Sequence, residues 1–117
     1  MKKVIRFLPA IIYAALIFYF SSMSSPPQPE LLVGIQISSV VKHFAEYFIF
    51  GLLLMYAFWE EKKSICYAIA TGLIYAATDE FHQFFVPGRM MDVVDWLIDA
   101  IAIITSVMIT KWLLKKK

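Results

Sequence analysis

Residues 64–89 read SICYAIATGLIYAATDEFHQFFVPGR, and the fold turns on how this stretch is understood. The run 64–85 is 22 residues long, enough for a helix to cross a hydrocarbon core of about 30 Å at about 1.5 Å per residue. It becomes polar only in its last turns, at Asp79, Glu80, His82 and Gln83, and Pro87-Gly88 then breaks it. A charge held at the centre of a bilayer costs about 2.5–3.5 kcal/mol even on the lenient insertion scale, so such groups turn inward and find partners. A helix with this ending therefore requires polar companions at the same depth from elsewhere in the chain.

Moving outward, residues 60–63 (Glu-Glu-Lys-Lys) form a short charged turn, and residues 39–59 before them form a 21-residue helix with Lys42, His43 and Glu46 in its first third. On the other side, residues 92–112 give a helix with Asp92, Asp95 and Asp99 in its first half. The first apolar run, 4–20, holds only Arg6 and Pro9 as interruptions. Its basic start also fits a secretory leader, but it is long for a leader's apolar region and Pro26, Pro27 and Pro29 follow at once, so a retained helix is expected. Residues 21–30 form an exposed extended segment, because Ser-Pro-Pro-Gln-Pro sustains neither helix nor sheet. The apolar stretch 31–37 is too short to cross.

The chain of 117 residues is 61% hydrophobic and 17% charged, against about 45–50% and about 25% in soluble domains. It has too little polar surface to cover a water-soluble body of this size. The expectation is an all-α, polytopic membrane protein: one domain over 1–117, with four transmembrane helices (4–20, 39–59, 64–85, 92–112) in a compact bundle and an extracytoplasmic linker over 21–38. The single cysteine, Cys66, excludes a disulfide framework.

The net charge of +2 is the sum of two large opposing terms. With both termini on one side, that side and the 60–63 turn hold nine basic residues against two acidic (Glu60, Glu61), or +7. The opposite side holds Lys42 and Arg89 against Glu30, Glu46, Asp79, Glu80, Asp92, Asp95 and Asp99, or −5. Positive charge marks the cytoplasmic face, so both termini are expected inside a plasma membrane and the acidic end outside. Trp59 and Trp112 then fall at the inner interface and Trp96 at the outer one.

Helical spacing gathers the polar residues into stripes. Ser39, Lys42, His43, Glu46 and Phe50 share one; Gly72, Tyr75, Ala76, Asp79, His82 and Gln83 share another; Asp92, Asp95, Asp99, Ala102 and Ser106 share a third. Glu80 lies about a quarter-turn off its stripe and is expected to rim the site rather than fill it. Asp92 begins its helix and reads as an N-cap. Asp99 lies about 10 Å deeper, where capping cannot account for it. Glu46 is similarly deep.

Several of these residues resemble the VanZ-like family, small membrane proteins named after an accessory protein for teicoplanin resistance. The resemblance is carried by Phe20-Ser21-Ser22, Lys42-His43-Phe44 with Tyr47, the block Asp79-Glu80-Phe81-His82-Gln83 through Val86-Pro87-Gly88-Arg89, and Asp95. It runs from about residue 17 to 102. The chain departs from the family pattern with Asp92 in place of Ser, Asp99 in place of Asn and Ala102 in place of a helix-packing Gly. The resemblance implies a role in the cell envelope, with recognition of a lipid head group or a lipoglycopeptide and a link to antibiotic resistance or envelope modification.

The residues themselves allow several chemistries. The expected ligand-binding set is Lys42, His43, Glu46, Tyr47, Asp79, Glu80, His82, Gln83, Arg89 and Asp95. His43, Glu46, Asp79, His82, Asp95 and Asp99 are the types that acid–base catalysis needs, with Lys42 and Arg89 available to hold a phosphate. An alternative is thus a membrane-embedded hydrolase or transferase acting on a phospholipid or a polyprenyl-linked precursor. Ser21 and Ser22 offer a hydroxyl but read better as a helix-ending turn. A metal variant would pair His43 with Glu46 and Asp79 with His82, each at i, i+3. No compact metal signature is present, and no metal or cofactor is expected. A third class is structural, with the polar cluster fixing helix register for assembly. The expected partners are membrane lipids and an envelope precursor or lipoglycopeptide. No nucleic-acid partner is expected, and the oligomeric state is left open.

Overall fold

In a computed structural model, the structure describes residues 2–22, 39–86 and 93–115. Arg89, Asp92 and the linker beyond Ser22 lie outside the described residues, and with them the expectations placed there. The described chain is helical: α1 (Lys2–Ser21), α2 (Ser39–Phe58), α3 (Ser64–Phe84) and α4 (Val93–Lys115), with no strand among the described residues. The charged 60–63 turn closes between α2 and α3 through Glu61 N–H donating to the Phe58 carbonyl (2.9 Å) and Ser64 N–H to that of Glu61 (3.1 Å). Before Pro87, α3 ends in a tightened turn in which Phe85 and Val86 N–H groups donate to His82 and Gln83 carbonyls. α4 runs on to Lys115, since no breaker interrupts Leu113-Leu114.

α2 packs most extensively against α4 and also touches α1 and α3, while α1 and α3 meet least. Small side chains permit these approaches. Ala68, Ala76 and Ala102 are fully buried. A Cβ on Gly51 would collide with Ser106 Oγ and come within 3.2 Å of the Ile103 carbonyl, and a Cβ on Gly72 would meet the Ile103 side chain at 2.9 Å. Ile103 thus sits against two glycine gaps, one on α2 and one on α3. Tyrosine hydroxyls add polar pins between helices: Tyr13 donates to the Glu46 carbonyl (2.8 Å) and Tyr75 to the Ala14 carbonyl.

The surface is turned inside out relative to a soluble bundle. Val4, Ile11, Ile12 and Leu16 on α1, Ile74 and Phe81 on α3, and Val94, Leu97, Ile101 and Met108 on α4 are exposed, while Asp79, Glu80, Gln83 and Asp99 are buried. The sequence reading counts four spans. By length and composition two helices qualify, over Val41–Phe58 and Val93–Leu114, and the apolar part of α1, Val4–Phe20, is shorter. The reason is dilution: α1 opens on Lys2, Lys3 and Arg6, and α3 spends its last turns on Asp79, Glu80, His82 and Gln83.

The glycine contact on α2 makes a stability prediction. Gly51→Ala is expected to destabilise the bundle by about 1–3 kcal/mol, as overpacking does, and to lower the midpoint of thermal unfolding in detergent. Adding Ser106→Ala should recover part of the loss, because the colliding hydroxyl is removed.

Candidate functional site

The two ends of the bundle differ in chemistry. At one end Arg6 pairs with Glu60 (3.6 Å) and lies over the Tyr56 ring, and Lys111 lies over Trp59 at 5.0 Å. The other end collects the acidic residues of α2, α3 and α4.

His43 stands on the first turns of α2, and Asp95 and Asp99 stand one turn apart at the start of α4. Because α2 and α4 form the most extensive helix pair, the imidazole is delivered between both carboxylates. Its Nδ1 is 3.0 Å from Asp99 Oδ1, and its Nε2 is 3.7 Å from Asp95 Oδ2. Asp99 is fully buried, and His43 and Asp95 are half-buried. A carboxylate accepts, so Nδ1–H is the donor in the short contact.

α3 contributes the second half of the site. Tyr47, itself fully buried on α2, donates its hydroxyl to Asp79 Oδ2 at 2.9 Å. Glu80 is 4% exposed, and one of its carboxylate oxygens groups with an atom each of His43 and Asp95, all within 4.8 Å of one another. The expectation that Glu80 merely rims the site is therefore corrected: it fills it. The signal was in the sequence, since Ala68, Gly72, Ala76 and Glu80 recur every four residues and all four are buried. α3 packs against both α2 and α4, so its buried face takes in both Asp79 and Glu80.

The half-buried Glu46 lies in electrostatic range of His43, Asp79 and Asp99. Gln83 is buried one turn beyond Asp79. Lys42 is exposed and reaches Glu46 only through space. His82 stands apart from this group. Its Nε2 is 2.9 Å from Ser22 Oγ, and its ring stacks on Phe18 with centroids 4.4 Å apart. The pairing that the metal variant would use from i, i+3 spacing, His43/Glu46 with Asp79/His82, is not the one assembled; the convergent trio among the described residues is His43, Glu80 and Asp95. Spacing along one helix says which residues share a face but not which faces meet.

Two contacts escaped sequence reasoning. Ser22 reads as a helix-ending turn, and its hydroxyl does lie 2.9 Å from the Phe18 carbonyl, yet it also meets His82 sixty residues away. Trp96, expected at an outer interface, turns against α3 and donates Nε1–H to the Leu73 carbonyl (3.2 Å). Asp79 Oδ1 and Asp99 Oδ2, on side chains 3% and 0% exposed, are among the buried oxygens without a hydrogen-bond partner among the described residues.

The paired motifs that meet here, Lys42-His43-Phe44 with Asp79 through Gln83 and Asp95, lie inside a match to the VanZ/LLP1 family model over residues 6–114. The chain belongs to the VanZ/LLP1 family. Comparison with curated proteins and with solved structures finds no match. Family membership, the apolar exterior and the two helices of spanning length make this VanZ-like protein a membrane protein. Within the VanZ framework, this chain's Asp99 is the residue that holds His43.

The two kinds of contact predict different costs. Tyr47→Phe strips Asp79 of its buried donor and is expected to cost about 1–3 kcal/mol. Ser22→Ala, at an exposed helix end, is expected to cost less than about 0.5 kcal/mol. Thermal unfolding of both variants in nanodiscs should reproduce that order.

Proposed function

We propose that this VanZ-like chain spans the plasma membrane four times, with both termini cytoplasmic, and that its acidic end recognises a lipid head group or a lipoglycopeptide on the outer side. The orientation follows from charge. Arg6, Lys62, Lys63 and Lys111 gather at the end opposite His43, Asp79, Glu80, Asp95 and Asp99, and basic residues favour the cytoplasmic face. The four-span reading is supported by the apolar side chains that α1 and α3 also turn outward.

The observation that carries the ligand class is the pair of buried carboxylate oxygens, Asp79 Oδ1 and Asp99 Oδ2, that lack a donor among the described residues. A buried acceptor left unsatisfied costs about 1–3 kcal/mol, more when charged. A ligand bearing N–H donors, such as an ammonium head group or the peptide amides of a lipoglycopeptide, relieves that cost. With a lipoglycopeptide as ligand, the role becomes resistance of the teicoplanin type.

One geometry favours a second reading, a hydrolase or transferase acting on a phospholipid or polyprenyl-linked precursor. The Ser22 hydroxyl lies 2.9 Å from His82 Nε2, within the reach of a nucleophile and its base. In the carboxylate cluster, which is separate from that pair, His43 is oriented by Asp99, as a general base requires.

Native mass spectrometry of the protein in nanodiscs made from total envelope lipid separates these roles. Recognition predicts a bound lipid or added lipoglycopeptide of unchanged mass that Asp79→Asn and Asp99→Asn release at least tenfold more readily. Recovery of a cleaved or transferred product that Ser22→Ala and His82→Ala abolish would favour the enzyme. Lower stability in the Asp variants with undiminished ligand would identify a purely architectural cluster. For topology, Gln28→Cys in a Cys66→Ser background should react with a membrane-impermeant maleimide added outside intact cells; labelling from the cytoplasm alone would reverse the orientation.

A further inference from the structure

His43 of α2, Glu80 of α3 and Asp95 of α4 each bring one potential ligand atom to a common point, all within 4.8 Å of one another. Three separate helices supply them, so the convergence is a product of packing rather than of local sequence. We propose that these three side chains bind a divalent transition cation, with Asp99 as the positioning residue that fixes the imidazole. The proposal goes beyond head-group recognition and does not depend on which organic ligand the site takes.

Four features carry it. The donor set is one imidazole nitrogen and two carboxylate oxygens, which suits zinc or manganese better than calcium or magnesium, the latter preferring oxygen alone. A neutral His43 that donates Nδ1–H to Asp99 Oδ1 at 3.0 Å keeps its lone pair on Nε2, the nitrogen on the side of Asp95. A carboxylate or carbonyl behind a ligating histidine is the usual outer-shell arrangement at metal sites. The Nε2 to Asp95 Oδ2 separation of 3.7 Å is too long for a hydrogen bond. It is close to the spacing of about 3.3–3.6 Å between two donors that each lie about 2.0–2.2 Å from a shared tetrahedral ion.

The fourth feature lies one contact behind the trio, on Asp99, which is bonded to His43. Asp99 has no solvent exposure, and its Oδ2 finds no hydrogen-bond donor among the described residues. A buried carboxylate in that condition is further stabilised by a nearby positive charge. A dication on the far side of the His43 ring supplies one within the same cluster. Three protein ligands also leave a coordination position open, where a phosphate or carboxylate oxygen of a head group can bind.

The test uses the full chain in detergent, without a histidine tag and with Cys66→Ser to remove the exposed thiol. Chelator-stripped protein is titrated with Zn2+ by calorimetry, and bound metal is counted by elemental mass spectrometry. One ion per chain is expected. His43→Ala, Glu80→Gln and Asp95→Asn should each weaken binding at least 100-fold, and Asp99→Asn about 10–100-fold, the range for loss of an outer-shell partner. Absence of stoichiometric binding, or binding indifferent to His43→Ala, overturns the proposal. Should the variants fail to fold, Mn2+ bound to the Cys66→Ser protein decides the matter: electron spin-echo modulation from an imidazole nitrogen is expected, and its absence is equally fatal. No lipid is present in either experiment, so the outcome is separate from that of head-group recognition.

Discussion

The hydrogen bond between His43 Nδ1 and Asp99 Oδ1, 3.0 Å long, joins the two helices that pack most extensively, and the polar end of the bundle is built around it. An ionised carboxylate moved into an apolar interior loses hydration worth several kcal/mol, and only a well-placed partner offsets that loss. Asp99 has no solvent exposure at all. The imidazole is therefore a condition for placing this residue on the inner face of α4. Once α2 and α4 are held in that register, Asp95 comes to the other side of the same ring, Tyr47 is aimed at Asp79, and Glu80 closes from α3.

The exterior follows from the same constraint. α2, α3 and α4 each have one polar stripe, and lipid offers no hydrogen bonds, so the stripes turn inward and Ile, Leu, Val and Phe turn out. Between the helices, packing alone must hold the bundle, since lipid tails are as apolar as the side chains. Gly51 and Gly72 answer this by letting Ile103 approach two neighbours. The tyrosines answer it differently, by placing hydroxyls on backbone carbonyls of adjacent helices while their rings remain among apolar neighbours.

Much of this was legible in the chain. Periodicity located all four helices to within a few residues, because each apolar run is bounded by charges, prolines or both. The stripes on α2 and α4 identified His43, Asp95 and Asp99 as facing inward, since three- and four-residue spacing fixes a face without reference to anything else. Glu80 is not legible from the stripe through Asp79 and His82, because the buried face of α3 also includes the four-residue series of Ala68, Gly72, Ala76 and Glu80. The same stripe groups His82 with the buried residues, and instead it meets Phe18 and Ser22 of α1.

By itself, the sequence determined the composition of each helix face, the gathering of positive charge at one end and of carboxylates at the other, and family membership. These are local or additive properties: a face is set by 3.6-residue periodicity and a charge balance by counting. Only the tertiary structure decided which faces meet. That His43 sits between Asp95 and Asp99, that Glu80 rather than Glu46 joins it, and that Ser22 reaches His82 depend on the relative rotation and height of separate helices. Those are set by the packing of residues such as Ile103 against Gly72 and Gly51, which lie 31 and 52 positions away in the chain.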